Sequence, residues 1–128
     1  MKFKFVTSKI NDNDPENVKI DTIEYRFLRN LNTEKMYKDD TDDEFNAQLG
    51  EIVSRLTKAE KDSTDPDALA EVFSLNYLDT RHELLKYMYA IEKDGKLIQN
   101  EKTRDEFEEL ELDDAQVFAT FLSKLFGA

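Results

Sequence analysis

"VKIDTIEYRFLRNL", Val18 to Leu31, carries two periodicities at once. Val18 and Ile20 alternate with Lys19 and Asp21, the period of a half-buried strand, while Ile23, Phe27, Leu28 and Leu31 recur at helical spacing. Which period wins decides whether the chain is a helical bundle or is built on a sheet. The spacing predicts a short strand near 17–21 and then a helix over 22–32. Upstream, "KFKFV" (2–6) alternates polar and apolar residues and predicts a first strand, paired with the second as a hairpin. Between them "NDNDPEN" (11–17) is dense in turn formers, and Pro15 pushes Asp14 out of the helical region.

Helical spacing governs the rest. Five of the six residues from Asp39 to Glu44 are acidic. Thr41 followed three residues later by Glu44 matches a capping box. Behind it Phe45, Leu49, Ile52, Val53 and Leu56 form one apolar stripe. Carboxylates in a first helical turn are favoured by the helix dipole. A calcium loop of the EF-hand kind needs Gly at position six and Glu at position twelve. Counted from Asp39 these positions hold Glu44 and Gly50, and counted from Asp12 they hold Asn17 and Ile23, so neither window fits.

Asp65 before Pro66 is a helix start, with Asp as N-cap and Pro in the first turn. Leu69, Val72, Phe73 and Tyr77 form the next stripe. Thr80 to Glu83 reads as a second capping box, opening a helix with Leu84, Leu85, Met88 and Ile91 on its apolar face and Gly95 of "KDGK" near its end. Thr103 to Glu106 reads as a third box, and Asp113 caps a last helix, "DAQVFATFLSKLF" (114–126). The expected architecture is mainly α: a compact bundle of five or six helices with a small N-terminal β-hairpin or strand. It forms a single domain over 1–128, with 1–21 as the β element and 22–128 helical.

Composition narrows function mostly by exclusion. The net charge is −11, and residues 40–128 carry −12 of it against +1 for residues 1–39. Such a surface repels nucleic acid and anionic lipid. The absence of cysteine excludes disulfides, thiol nucleophiles and zinc–thiolate sites. No run approaches the roughly 20 apolar residues of a membrane span, and no signal-peptide core precedes the first strand, so a soluble, cytoplasmic protein is expected. Three glycines leave no Gly-rich phosphate loop. His82, the one histidine, is expected on the surface of a first helical turn, away from any nucleophile. No catalytic, cofactor or metal site is expected, and the chain does not read as an enzyme.

What rises above this background is "FATFLSKLF" (118–126). Phe118, Leu122 and Leu125 line one side of the last helix, and Phe121 and Phe126 flank it. Either this short terminal helix docks in the core and uses all of them, or part of its face stays exposed as a partner site, for which Phe118, Phe121, Leu125 and Phe126 are the candidates.

The layout resembles the small tail assembly chaperones of long-tailed, siphovirus-type phages of Gram-positive bacteria. The resemblance rests on the charged β element "MKFKF", a first helix of the "IEYRFLRNL" kind, a middle helix beginning "DPDALAEVF" and the aromatic C-terminal helix. The long "NDNDPEN" segment departs from the tight turn expected there. The resemblance implies a helical, acidic, non-enzymatic protein that binds the tape-measure or tail-tube protein in the cytoplasm of the bacterial host, with self-association in some members. Two other classes fit the composition: an acidic inhibitor that mimics nucleic acid, of the anti-restriction or anti-CRISPR type, and a generic protein-interaction adaptor.

Overall fold

The strand period wins in the opening stretch. The computed structural model describes residues 1–11 and 19–127. In it β1 (Lys2–Asn11) and β2 (Lys19–Leu28) form a long antiparallel hairpin. Phe3 pairs with Phe27, Phe5 with Tyr25 and Thr7 with Ile23, which puts Ile23, Tyr25 and Phe27 on one face. A helix over 22–32 would have turned Tyr25 away from the stripe of Ile23 and Phe27. The strand leaves it half-buried opposite Phe5 instead, on the core-facing side, and the β-branched and aromatic residues of β2 favour that outcome. The Phe3 and Phe27 rings stack at 4.7 Å, a cross-strand pair of the kind that stabilises a sheet. The turn expected at Asp14–Pro15 lies outside the described residues.

After β2 come α1 (Leu31–Thr41), α2 (Phe45–Lys61), α3 (Pro66–Val72) and α4 (Leu75–Met88), then β3 (Tyr89–Lys93), β4 (Lys96–Ile98), α5 (Glu101–Glu109) and α6 (Asp114–Phe126). The sheet runs β1-β2-β3-β4 and every pairing is antiparallel. This corrects the expected fold class: the chain is α+β, with helices packed on a four-stranded sheet, and not a mainly α bundle. Nor is the β element confined to residues 1–21. Asp94 and Gly95, both with positive φ (55° and 79°), make the two-residue turn between β3 and β4. Gly95 therefore serves a hairpin and does not cap a helix.

Helix starts follow the caps that the structure forms. Asp65 accepts from the Asp67 N–H with Pro66 behind it, and Asp113 accepts from Ala115 and Gln116, both as the sequence indicated. The three Thr boxes are displaced. Thr41 lies in the last turn of α1, where its hydroxyl donates to the Tyr37 carbonyl (2.6 Å). The chain reverses at Asp42 in the left-handed region, and α2 starts behind Glu44 with no side-chain cap. The acidic run thus begins at a helix C-terminus, where the dipole disfavours it. Asp40 is compensated there by the Tyr87 hydroxyl (2.7 Å) and Arg104 (3.3 Å). Thr80 is inside α4, which starts one and a half turns earlier on Ser74. Thr103 is the third residue of α5 and completes a capping box with Asn100.

The core lies between one sheet face and the helices. Phe27, fully buried, meets Tyr89 and Phe107 edge-on, and Phe3 meets Phe121 of α6. The opposite sheet face is solvated and laced by Lys4–Glu24, Arg26–Glu24 and Arg26–Glu92 pairs. The link between β2 and β3 is narrow, with two residue pairs, Arg26 with Ala90 and Phe27 with Tyr89. Beside it the Gln99 amide donates to the carbonyls of Leu28, Tyr87 and Met88 and its oxygen accepts from the buried Thr33 hydroxyl (2.8 Å).

Ser74→Ala is expected to lower stability by about 1 kcal/mol, as loss of an N-cap does, and Thr80→Ala by less than about 0.5 kcal/mol. Urea unfolding midpoints compare the two, and the reverse order would return the helix start to Thr80.

Candidate functional site

The four residues singled out on α6 separate by depth. Phe118 and Phe121 are buried, Phe121 completely, with its ring 5.4 Å from Phe3 and 6.0 Å from Phe118. Leu125 is half-buried, and Phe126 is 65% exposed. The difference between Phe121 and Phe126 is set by β1, because α6 packs across that strand. Phe121 is therefore a core residue, and of the two flanking phenylalanines only Phe126 offers free surface.

Phe126 stands at one edge of a groove of about 520 Å³ between α2, α4 and α6. Val53 and Leu56 line it from α2, Tyr77 and Arg81 from α4, and Phe118 and Leu122 from α6, with Ala115 and Ala119 leaving room between the walls. Tyr77 is buried, and burial pushes its hydroxyl pKa up, partly offset by the adjacent Arg81.

Arg81 differs from the other four arginines. Arg26, Arg29, Arg55 and Arg104 each lie within ion-pair distance of a carboxylate. Arg81 has none among the described residues. Its guanidinium lies 5.8 Å from the Tyr77 ring centre, and its Nε is buried without a hydrogen-bond partner. The sequence reading missed the Tyr77–Arg81 pair because it began a new helix at Thr80. Had α4 been started at Ser74, the two would have fallen four residues apart on one face.

His82, the next residue, points into a different contact. Its Nδ1 is 2.7 Å from Asp114 of α6 and its Nε2 is 2.9 Å from Glu108 of α5, with the ring against Phe107. The expectation of a surface histidine in a first turn gives way to a half-buried clip, well inside α4, joining three helices. The Asp114 hydrogen bond, outweighing burial and reinforced by Glu108, raises its pKa to about 9. Burial works to raise the Glu108 pKa, but hydrogen bonds from His82 and Lys86 outweigh it and hold that carboxyl below its usual range. With both ring nitrogens bound to carboxylates, His82 is an ion-pair partner and not a poised base.

Among the described residues no cluster of three or more His, Asp or Glu side chains is placed to hold a metal ion. No helix among them is long and apolar enough to cross a membrane. No family model, curated protein or solved structure matches the chain.

The clip sets a pH dependence. A folded-state pKa raised from 6.5 to about 9 gives stability that is fully present below about 6.5 and lost as pH rises through about 9. The lowered Glu108 acts at the other end, its contribution falling away as pH drops through the carboxylate range. Melting temperatures between pH 6 and 10 are expected to fall with pH in the wild type, by the equivalent of about 2 kcal/mol after solvent screening. His82→Gln should remove that slope. Parallel curves would mean that the clip contributes nothing.

Proposed function

We propose that the protein is a non-enzymatic binding protein that holds an apolar segment of a partner protein in the α2–α4–α6 groove. The observation that carries this reading is the groove itself: apolar walls from two helices, continued outward by the exposed Phe126. An exposed apolar strip on an acidic body suits a protein that keeps a partner soluble, since the net charge of −11 opposes aggregation of the complex.

Within that class we place it with the tail assembly chaperones of long-tailed phages, acting in the bacterial cytoplasm on the tape-measure or tail-tube protein. Three sequence features support this: the charged "MKFKF" strand, the helix opening "DPDALAEVF" and the aromatic last helix. A fourth, the first helix in "IEYRFLRNL", is withdrawn, since residues 23–28 are strand. The reading as a nucleic-acid mimic has less support. Many carboxylates are engaged within the molecule, among them Asp40, Glu51, Glu92, Glu108 and Asp114 in ion pairs and Asp65 and Asp113 in caps.

Co-expression with a tape-measure fragment or the tail-tube subunit tests the proposal. The wild type is expected to capture the partner. Phe126→Asp is expected to lose it while melting near the wild-type temperature. Phe121→Asp is expected to unfold, because it buries an unpaired charge. Capture retained by folded Phe126→Asp would remove the groove from the interface.

A further inference from the structure

We infer that the α2–α4–α6 groove receives an amphipathic helix of a partner protein that presents a carboxylate to Arg81. This rests on the protein-binding reading above and adds the chemistry of the bound segment.

The first argument is the shape of the groove. Its α6 wall runs from Ala115 to Phe126, a rise of about 16 Å, or three helical turns. Its walls are helices, whose backbone groups are already paired internally. An extended segment laid there would leave its own N–H and C=O groups without partners against Val53, Leu56 and Leu122. A helix satisfies its own backbone and brings side chains at i, i+4 and i+7 to the apolar walls.

The second argument is Arg81. Its Nε is buried without a partner, so the part of the guanidinium open to a ligand is its terminal end. The chain holds twenty-nine Asp and Glu residues, yet no described one lies within ion-pair distance of this guanidinium. Tyr77 lies beside it, and Arg81 is part of the groove lining. A partner carboxylate entering there would meet the two terminal nitrogens, the end of the planar fork for which arginine is suited, while the Nε stays buried. Because the body of the protein is strongly acidic, long-range attraction requires the rest of the partner segment to be basic, including the stretch that passes Glu60 at the groove wall. The expected segment is an apolar helical stripe with one acid at its margin and Lys or Arg around it.

The probe is a displayed library of amphipathic helical peptides about four turns long, with a fixed apolar stripe and randomised flanks, selected on the full chain. Amide chemical shifts locate each selected peptide. The expected result is that groove-binding peptides carry Asp or Glu at one flanking position. Arg81→Gln should weaken them at least about tenfold, the loss of one hydrogen bond to a charged group. Converting the peptide acid to its amide should cost as much, with no further loss when both changes are combined. Arg81→Lys, which keeps the charge and removes the fork, should fall between wild type and Arg81→Gln, so the test stands even if one variant folds poorly. Groove-binding peptides with no acid, or peptides indifferent to both Arg81 variants, would overturn the Arg81 inference and leave the protein-binding reading intact. Oleate displacing the peptides at equal concentration would overturn the peptide class in favour of a lipid carboxylate. No groove-binding peptide, together with tape-measure capture that survives Phe126→Asp, would overturn both readings.

Discussion

The Gln99 amide sits where four chain segments meet. Its nitrogen reaches the carbonyl of Leu28 at the end of β2 (2.8 Å) and those of Tyr87 and Met88 where α4 passes into β3 (3.1 and 3.0 Å). Its oxygen takes the hydroxyl of Thr33 in the first turn of α1. Thr33 is wholly buried and also accepts from the Asn30 N–H, so the cap of α1 belongs to the same network. The position matters because four helices are inserted between β2 and β3, and the two strands rejoin over only two residue pairs. Carbonyls at such a junction have no regular ladder to pair with, and leaving them buried and unpaired would cost more than the hydrogen bonds return. One side chain closes the sheet and anchors the helical insertion to it.

The local chemistry of the chain was legible where its partners lie within a few residues. Asp65 before Pro66 and Asp113 cap helices because the N–H groups they accept from are two or three positions away. The apolar stripe from Phe45 to Leu56 does face the core. The Thr boxes misled for a compositional reason. In a chain with twenty-nine acids, a Glu three residues after a Thr is common whether or not a helix starts there. The true cap at Ser74 has Tyr77 at that position. The sheet was lost for a different reason. Phe3 and Phe27 are distant in sequence, and nothing local tells Ile23 and Phe27 that Phe3 and Phe5 will pair beside them. Asp94-Gly95 did carry a turn signal, but the helical spacing of Leu84, Leu85, Met88 and Ile91 outweighed it.

The groove was half legible. The excess of aromatic surface at 118–126 pointed to α6, but which ring stays outside depends on β1, whose Phe3 meets Phe121 and leaves Phe126 free. Arg81 carried no signal in sequence, because an arginine is made unusual by what it fails to meet in space. Adjacent residues of α4 then divide the work. His82 ties α4 to α5 and α6 through two carboxylates, while Arg81, with no carboxylate within ion-pair distance among the described residues, lines the groove between α2, α4 and α6.

The account rests most heavily on the Gln99 junction, and native-state amide hydrogen exchange on Gln99→Leu tests it directly. The substitution keeps the side chain's approximate size and removes every hydrogen bond that Gln99 makes at the junction. The account predicts that β3, β4 and the first turn of α1 lose protection together, by at least about tenfold, as the loss of even one buried hydrogen bond implies. Helix α2 and the β1–β2 hairpin should stay closer to wild type. Unchanged exchange in β3 and at the start of α1 would contradict it, and would mean that the two residue pairs between β2 and β3 hold the sheet to the helices unaided.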